Sequence, residues 1–127
     1  MTKIAEGVFV EDILPAIPTT FTLNSAASTN LTSVRVGPAT VFSISASNIN
    51  AAARFLKIYD KASAPVPASD RPVLTLAIPA TGFIHLPLFM GMRFTNGIAL
   101  AITTVAADTD TTATAANEQK VAISYFA

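Results

Sequence analysis

Asp108 and Asp110 stand close together in the tract "ADTDTTATAANE", with Asn117 and Glu118 further on. Alternating carboxylates in a loop suit calcium, which gathers about six to eight oxygens. The EF-hand pattern fails here: no third carboxylate holds the next alternate position, and there is no central glycine. The tract reads instead as a hydrated connection whose Asp and Asn side chains make local turn bonds. His85 is the only histidine. A nucleophilic triad would need it beside a nucleophile and an orienting carboxylate. It lies between Ile84 and Leu86 in "GFIHLPLF", so a partly buried structural role is expected. The chain has no cysteine, and a zinc site lacks ligands. GxSxG, P-loop and GxGxxG patterns are absent. Tyr59 and Asp60 come nearest to a sugar site, an aromatic beside a carboxylate, although Tyr59 is expected in the core. No catalytic, cofactor-binding or metal residue is therefore assigned, no cofactor is expected, and the chain does not read as an enzyme.

The elements that carry these residues are strands. "NLTSVRV" is β-branched and ends at Gly37-Pro38. "ATVFSISASN" alternates, with Phe42, Ile44 and Ala46 on one face and Ser43, Ser45 and Ser47 on the other. "ARFLKIYDK" sets Leu56 and Ile58 against Lys57 and Tyr59, and "PVLTLAIP" sets Leu74, Leu76 and Ile78 against Thr75 and Ala77. "GFIHLPLF" and "MRFT" follow, and Asn96-Gly97 predicts a two-residue hairpin turn with positive φ angles. "IALAITTV" and "QKVAISYF" close the series, the latter with Val121, Ile123 and Tyr125 on one face. Short strands separated by turn signals predict an all-β fold. The expected form is a single β-sandwich of about eight strands, a jelly roll or an Ig-like Greek key. Residues 30–127 are assigned to it.

Residues 1–29 read as an extended N-terminal arm. Pro15 and Pro18 favour extended chain, and "NSAASTN" is a small-residue linker. Ile4, Val8, Val10, Ile13, Leu14 and Ile17 make the arm too apolar to stand in water, so it must lie on its own domain or on a neighbour.

Composition points to assembly. The chain is 127 residues long, 51% apolar and only 13% charged, with net charge zero. Ordinary soluble domains carry about 25% charged residues, and a neutral, charge-poor surface tends to associate. The predicted outward faces carry Ser, Thr and Ala, and the charges that would block edge pairing are few: Lys57, Asp60 and Lys61 on one strand and Lys120 on another. Eight scattered basic residues offer no stripe for phosphate, so nucleic acid is not an expected partner. Neither a targeting segment nor a membrane-spanning run is read, since Glu6, Glu11 and Asp12 interrupt the start and Ile13–Val34 is rich in Thr, Ser, Asn and Pro.

Two long phrases carry a resemblance: "NINAAARFLKIYDKASAPVPASDRPVLTLAIPATG" and "MRFTNGIALAITTVAADTDTTATAANEQKVAISYF". Over residues 48 to 127 the chain resembles a group of small virion structural proteins of tailed bacteriophages, whose assigned roles are those of capsid decoration or cement proteins. The resemblance implies a β-sandwich on the outer surface of the phage head, made in the host cytoplasm and stabilising the major capsid protein lattice. The expected partners are the major capsid protein and copies of the chain itself, as a homotrimer or homodimer on a capsid symmetry axis, without nucleic acid or membrane. Strand-edge pairing is one route to contact. The expected contact residues are Ile4, Val8, Val10, Ile13, Leu14 and Ile17 in the arm and Val121, Ile123 and Tyr125 in the final strand. The alternatives are a collar, tail or fibre module that adheres to host glycans, and a carbohydrate-binding β-sandwich.

Overall fold

The computed structural model describes residues 17–127, together with the backbone of two short strands, β1 (Lys3–Ala5) and β2 (Val8–Phe9), which pair antiparallel. Val10, Ile13 and Leu14 lie outside the described residues, and for Ile4 and Val8 only the backbone is described.

Eight further strands follow: β3 (Thr19–Asn24), β4 (Thr32–Val36), β5 (Ala39–Asn48), β6 (Arg54–Asp60), β7 (Leu74–Ile78), β8 (Gly82–Phe94), β9 (Gly97–Thr103) and β10 (Gln119–Phe126). They form two four-stranded antiparallel sheets, ordered β3-β10-β5-β8 and β4-β9-β6-β7. The pairings nest. β6 pairs with β7, β5 with β8, β4 with β9 and β3 with β10, as in a long two-stranded ribbon rolled on itself. The all-β expectation and the eight-strand sandwich hold. No helix occurs among the described residues.

Period-two alternation builds the core, because successive side chains in a strand point to opposite faces. Ile98, Leu100 and Ile102 from β9, Leu56 and Ile58 from β6, and Ile44 and Ile123 from the first sheet meet between the sheets, fully buried. Burying each such side chain contributes about 1.5–3 kcal/mol.

Several sequence expectations change. The sandwich begins at Thr19, not at residue 30, because "TTFTLN" pairs along β10 from Tyr125 to Lys120. Pro18 ends just before that ladder and takes no bond from it. Phe42 does not share a face with Ile44. The register of β5 slips between Val41 and Ser43, so Val41 turns inward beside Ile44 and Phe42 turns out. Asn96-Gly97 does not close a hairpin. It joins β8 of the first sheet to β9 of the second, and Asn96 does not adopt positive φ. Gly97 is needed there for space: a Cβ would lie 2.4 Å from the Arg35 carbonyl oxygen and 2.8 Å from that of Lys61.

The middle of the second sheet's outer side, on β9 and β6, is covered by its own chain, while Ser33 of β4 and Thr75 and Ala77 of β7 stay exposed. Lys57 points outward from β6 yet is fully buried, and its Nζ donates to the Ala107 carbonyl. Tyr59, Ala99 and Ala101 form a small second apolar cluster on that side. The Thr103 hydroxyl donates to the Val105 carbonyl, and Thr114 N–H donates to the Ser28 carbonyl. The acidic tract is therefore a cover laid across the second sheet. Lys57 does not guard an edge, as the sequence suggested, because β6 lies between β9 and β7.

Candidate interaction face

Among the described residues, none covers the outer face of the first sheet in this way. Its cross-strand rows follow from the register: Asn24–Lys120–Ser47–Phe83, then Thr22–Ala122–Ser45–His85, then Thr20–Ser124–Ser43–Pro87. Small side chains fill the middle. The ends are aromatic. Phe83 is 75% exposed at one end. At the other, Phe42 and Phe126 pack edge to face with ring centroids 4.8 Å apart, and Phe89 and Met90 stand out at 88% and 95% exposure.

A bulge in β8 produces that projection. Pro87 pairs with Ser43 and Met92 with Val41, so residues 88–91 face the single residue Phe42. Gly91 makes the return possible with φ +76°, where a Cβ would come within 2.5 Å of Thr40 Cγ2 and 3.3 Å of the Phe42 ring.

At the Phe83 end an open groove of about 620 Å³ runs over the sheet. Ser45, Ser47, Ala122, Lys120, Phe83 and His85 line it. His85 is exposed there, not part-buried as the sequence suggested, and its Nδ1 lies 2.8 Å from Ser45 Oγ. Neither residue has a carboxylate among its hydrogen-bond partners, so the pair lacks the orienting acid of a triad.

The expected contact residues separate. Ile17 is described and 90% exposed, at the start of the first sheet's edge strand. Val121, Ile123 and Tyr125 are corrected. All three face inward and are buried, at 3%, 0% and 8% exposure. Their strand β10 lies between β3 and β5, so it offers neither an apolar outer face nor a free edge. Its outward residues are Lys120, Ala122, Ser124 and Phe126 instead.

The Tyr59–Asp60 pair does not form a sugar platform. Tyr59 is 1% exposed, and burial, with Asp108 and Asp70 nearby, pushes its hydroxyl pKa up. Asp60 is occupied by the β8–β9 turn, accepting N–H groups from Asn96, Thr95 and Gly97. The small cavity beside them, about 200 Å³, is lined by Lys61, Asp70 and Arg71 as well, and Lys61 is ion-paired with Asp70. In the acidic tract, Asp110 accepts from Val105 N–H and the Thr112 hydroxyl, so its carboxylate is turned into its own loop. Among the described residues no group of three or more metal-binding side chains occurs.

The face was missed in the sequence although a signal was present. In "GFIHLPLF" both alternating sets are largely apolar, Phe83, Pro87 and Phe89 as well as Ile84, Leu86 and Leu88. A strand apolar in both sets, here broken only by His85, is the mark of a sheet covered on both faces. Comparison with family models, with curated proteins and with solved structures found no match to this chain.

Proposed function

We propose that the chain is a jelly-roll virion structural protein, a decoration protein that binds the major capsid protein on the outer surface of a phage head together with copies of itself. The carrying observation is the inequality of the two outer faces. One is covered over its central strands β9 and β6 by the tract after β9, and the other presents Phe42, Phe83, Phe89, Met90 and Phe126 without a cover from the described residues. Large apolar side chains left exposed on one face, Phe83 at one end and the Phe42, Phe126, Phe89 and Met90 group at the other, support an interface there, and aromatic anchors supply most of the energy in such contacts. The nested pairings support the jelly-roll topology over the Ig-like one, since a rolled ribbon gives this interleaved strand order. The resemblance of the two long phrases to small phage virion proteins supports the location. The mechanism is mechanical: modest contacts repeated over a lattice add by avidity.

The test is addition of purified protein to phage heads that lack it. Saturable binding at hundreds of copies per head, with a raised head melting temperature, is the expected result. No binding to heads would overturn the reading.

A second reading, a collar, tail or fibre module that adheres to host glycans, draws on the groove. There an exposed phenyl ring stands beside the hydroxyls of Ser45 and Ser47 and the ring of His85. It predicts few copies per particle and saccharide binding by the isolated chain.

A further inference from the structure

We infer that the bare face of the first sheet receives the N-terminal segment, residues 1–16, of a second copy of this chain. The inference deepens the assembly reading above and can fail separately from it.

Charge distribution carries the argument. The whole chain is neutral. Residues 1–16 hold Lys3 against Glu6, Glu11 and Asp12, a net charge of −2. Residues 17–127 hold the other seven basic and five acidic side chains, a net charge of +2. That excess is not spread evenly. Arg54 pairs with Glu118 and Lys61 with Asp70. Lys57 lies under the tract that carries Asp108 and Asp110. The four strands of the first sheet contain no Asp or Glu at all. Their two cations, Lys120 and Arg93, are both exposed, and they stand near opposite ends of the outer face. Two of the remaining cations, Lys120 and Arg93, thus stand on a face whose strands hold no acid, while Arg35 lies on β4 and Arg71 between β6 and β7, and the surplus anions lie in residues 1–16. Complementary charge fixes register and excludes wrong partners, and the apolar residues on both sides supply the contact area.

Length and position agree. With β1 and β2 paired on each other, residues 10–16 alone reach at most about 23–25 Å when extended. A four-stranded sheet is only about 14 Å across from first strand to last. The described chain starts at Ile17 beside β3, the edge strand of the same sheet. Pro15 and Pro18 favour extended chain there rather than a return onto the sheet of departure. The face such a segment meets is a neighbour's. Each copy both gives a segment and receives one, either reciprocally in a two-fold dimer or head to tail in a ring where the rotation closes.

Sedimentation velocity on the full chain, at low and moderate salt, tests this. The wild type is expected to associate, more weakly as salt rises. Lys120→Glu with Arg93→Glu is expected to weaken association at least tenfold. Adding Glu11→Lys and Asp12→Lys to that variant is expected to recover most of the loss. Circular dichroism of each variant shows that the fold persists. Hydrogen exchange on the same samples locates the segment. Protection of residues 82–90 that rises with concentration supports the inference. A monomer that protects those residues at every concentration has its own segment on the face, which overturns the exchange between copies. Association that ignores both charge sets also overturns it. A chain that fails these tests yet saturates phage heads would leave the decoration reading standing without the exchange.

Discussion

Asp60 Oδ1 accepts the backbone N–H of Asn96 at 2.8 Å, and that bond ties the end of β6 to the crossing from one sheet to the other. The same carboxylate takes the N–H groups of Thr95 and Gly97 and the Thr95 hydroxyl. Burial pushes its pKa up, but the Asn96, Thr95 and Gly97 N–H groups outweigh that and hold it below the ordinary aspartate value. Replacing Asp60 with Ala is expected to cost about 2 kcal/mol, seen as a melting temperature lower by roughly 5–10 °C.

The pH dependence follows from the same carboxyl. A group with its pKa held low in the fold adds stability above its unfolded value of about 3.9, and loses it as pH falls through the folded value. Asp60→Asn is therefore expected to be less stable than wild type at pH 7 and to lose less on acidification below about pH 4. Urea denaturation at pH 7, 4 and 3 measures the difference.

Lys57 acts in the opposite range. Burial pushes its pKa below the usual lysine value, against the attraction of Asp110 and Asp108. Below the folded value the buried cation costs stability, and the cost is relieved as pH rises towards the unfolded value of about 10.4. Tyr59 works the other way, since its raised pKa removes stability as pH rises past about 10. Comparing wild type with Lys57→Met between pH 8 and 10.5 isolates the lysine, and the variant is expected to lack its alkaline gain. It is also expected to exchange amide hydrogens faster at residues 105–110, because the Ala107 carbonyl loses its donor.

Asn48 is 2% exposed, and its amide donates to the carbonyls of Ala52 and Pro79 while its oxygen accepts from Asn50 N–H and Gln119 Nε2. The nearby Glu118 carboxylate accepts from Asn50 Nδ2. Asn48→Ala removes the partner of the Ala52 and Pro79 carbonyls, Asn50 N–H and the buried Gln119 amide at once. A loss of about 2–4 kcal/mol is expected in chemical denaturation.

Phe89 and Met90 contribute almost nothing to the isolated fold, being nearly fully exposed. Phe89→Ser with Met90→Ser is expected to leave unfolding unchanged within about 0.5 kcal/mol. Self-association and binding to phage heads are expected to fall sharply in the same variant. A variant that still assembles normally would remove these two side chains from the contact.

Much of the inner architecture was legible from alternation alone. Ile98, Leu100 and Ile102, Leu74, Leu76 and Ile78, and Leu56 and Ile58 all face the core as their spacing predicts. Strand order was not legible, because a pattern along one strand says which side is apolar and not what lies beside it. Val121, Ile123 and Tyr125 therefore looked like a contact surface when they are core. Lys57 does point outward, as alternation required, but sequence could not show that a loop fifty residues away returns over it. Phe42 was misplaced by a one-residue slip, since a bulge reverses every side chain beyond it. The phrases "NINAAAR" and "AANEQ" were visible as separate words; in space they meet through Asn48, Asn50, Arg54, Glu118 and Gln119.

The position of β10 has a consequence for biogenesis. It is synthesised after the other seven sandwich strands, yet it occupies the slot between β3 and β5. While translation proceeds, those two have no common neighbour, and a vacancy about 9–10 Å wide separates them. That half of the sandwich can therefore be completed only once β10 has left the ribosome, and a nascent chain stalled before Gln119 exposes unpaired edges that invite chaperones or aggregation.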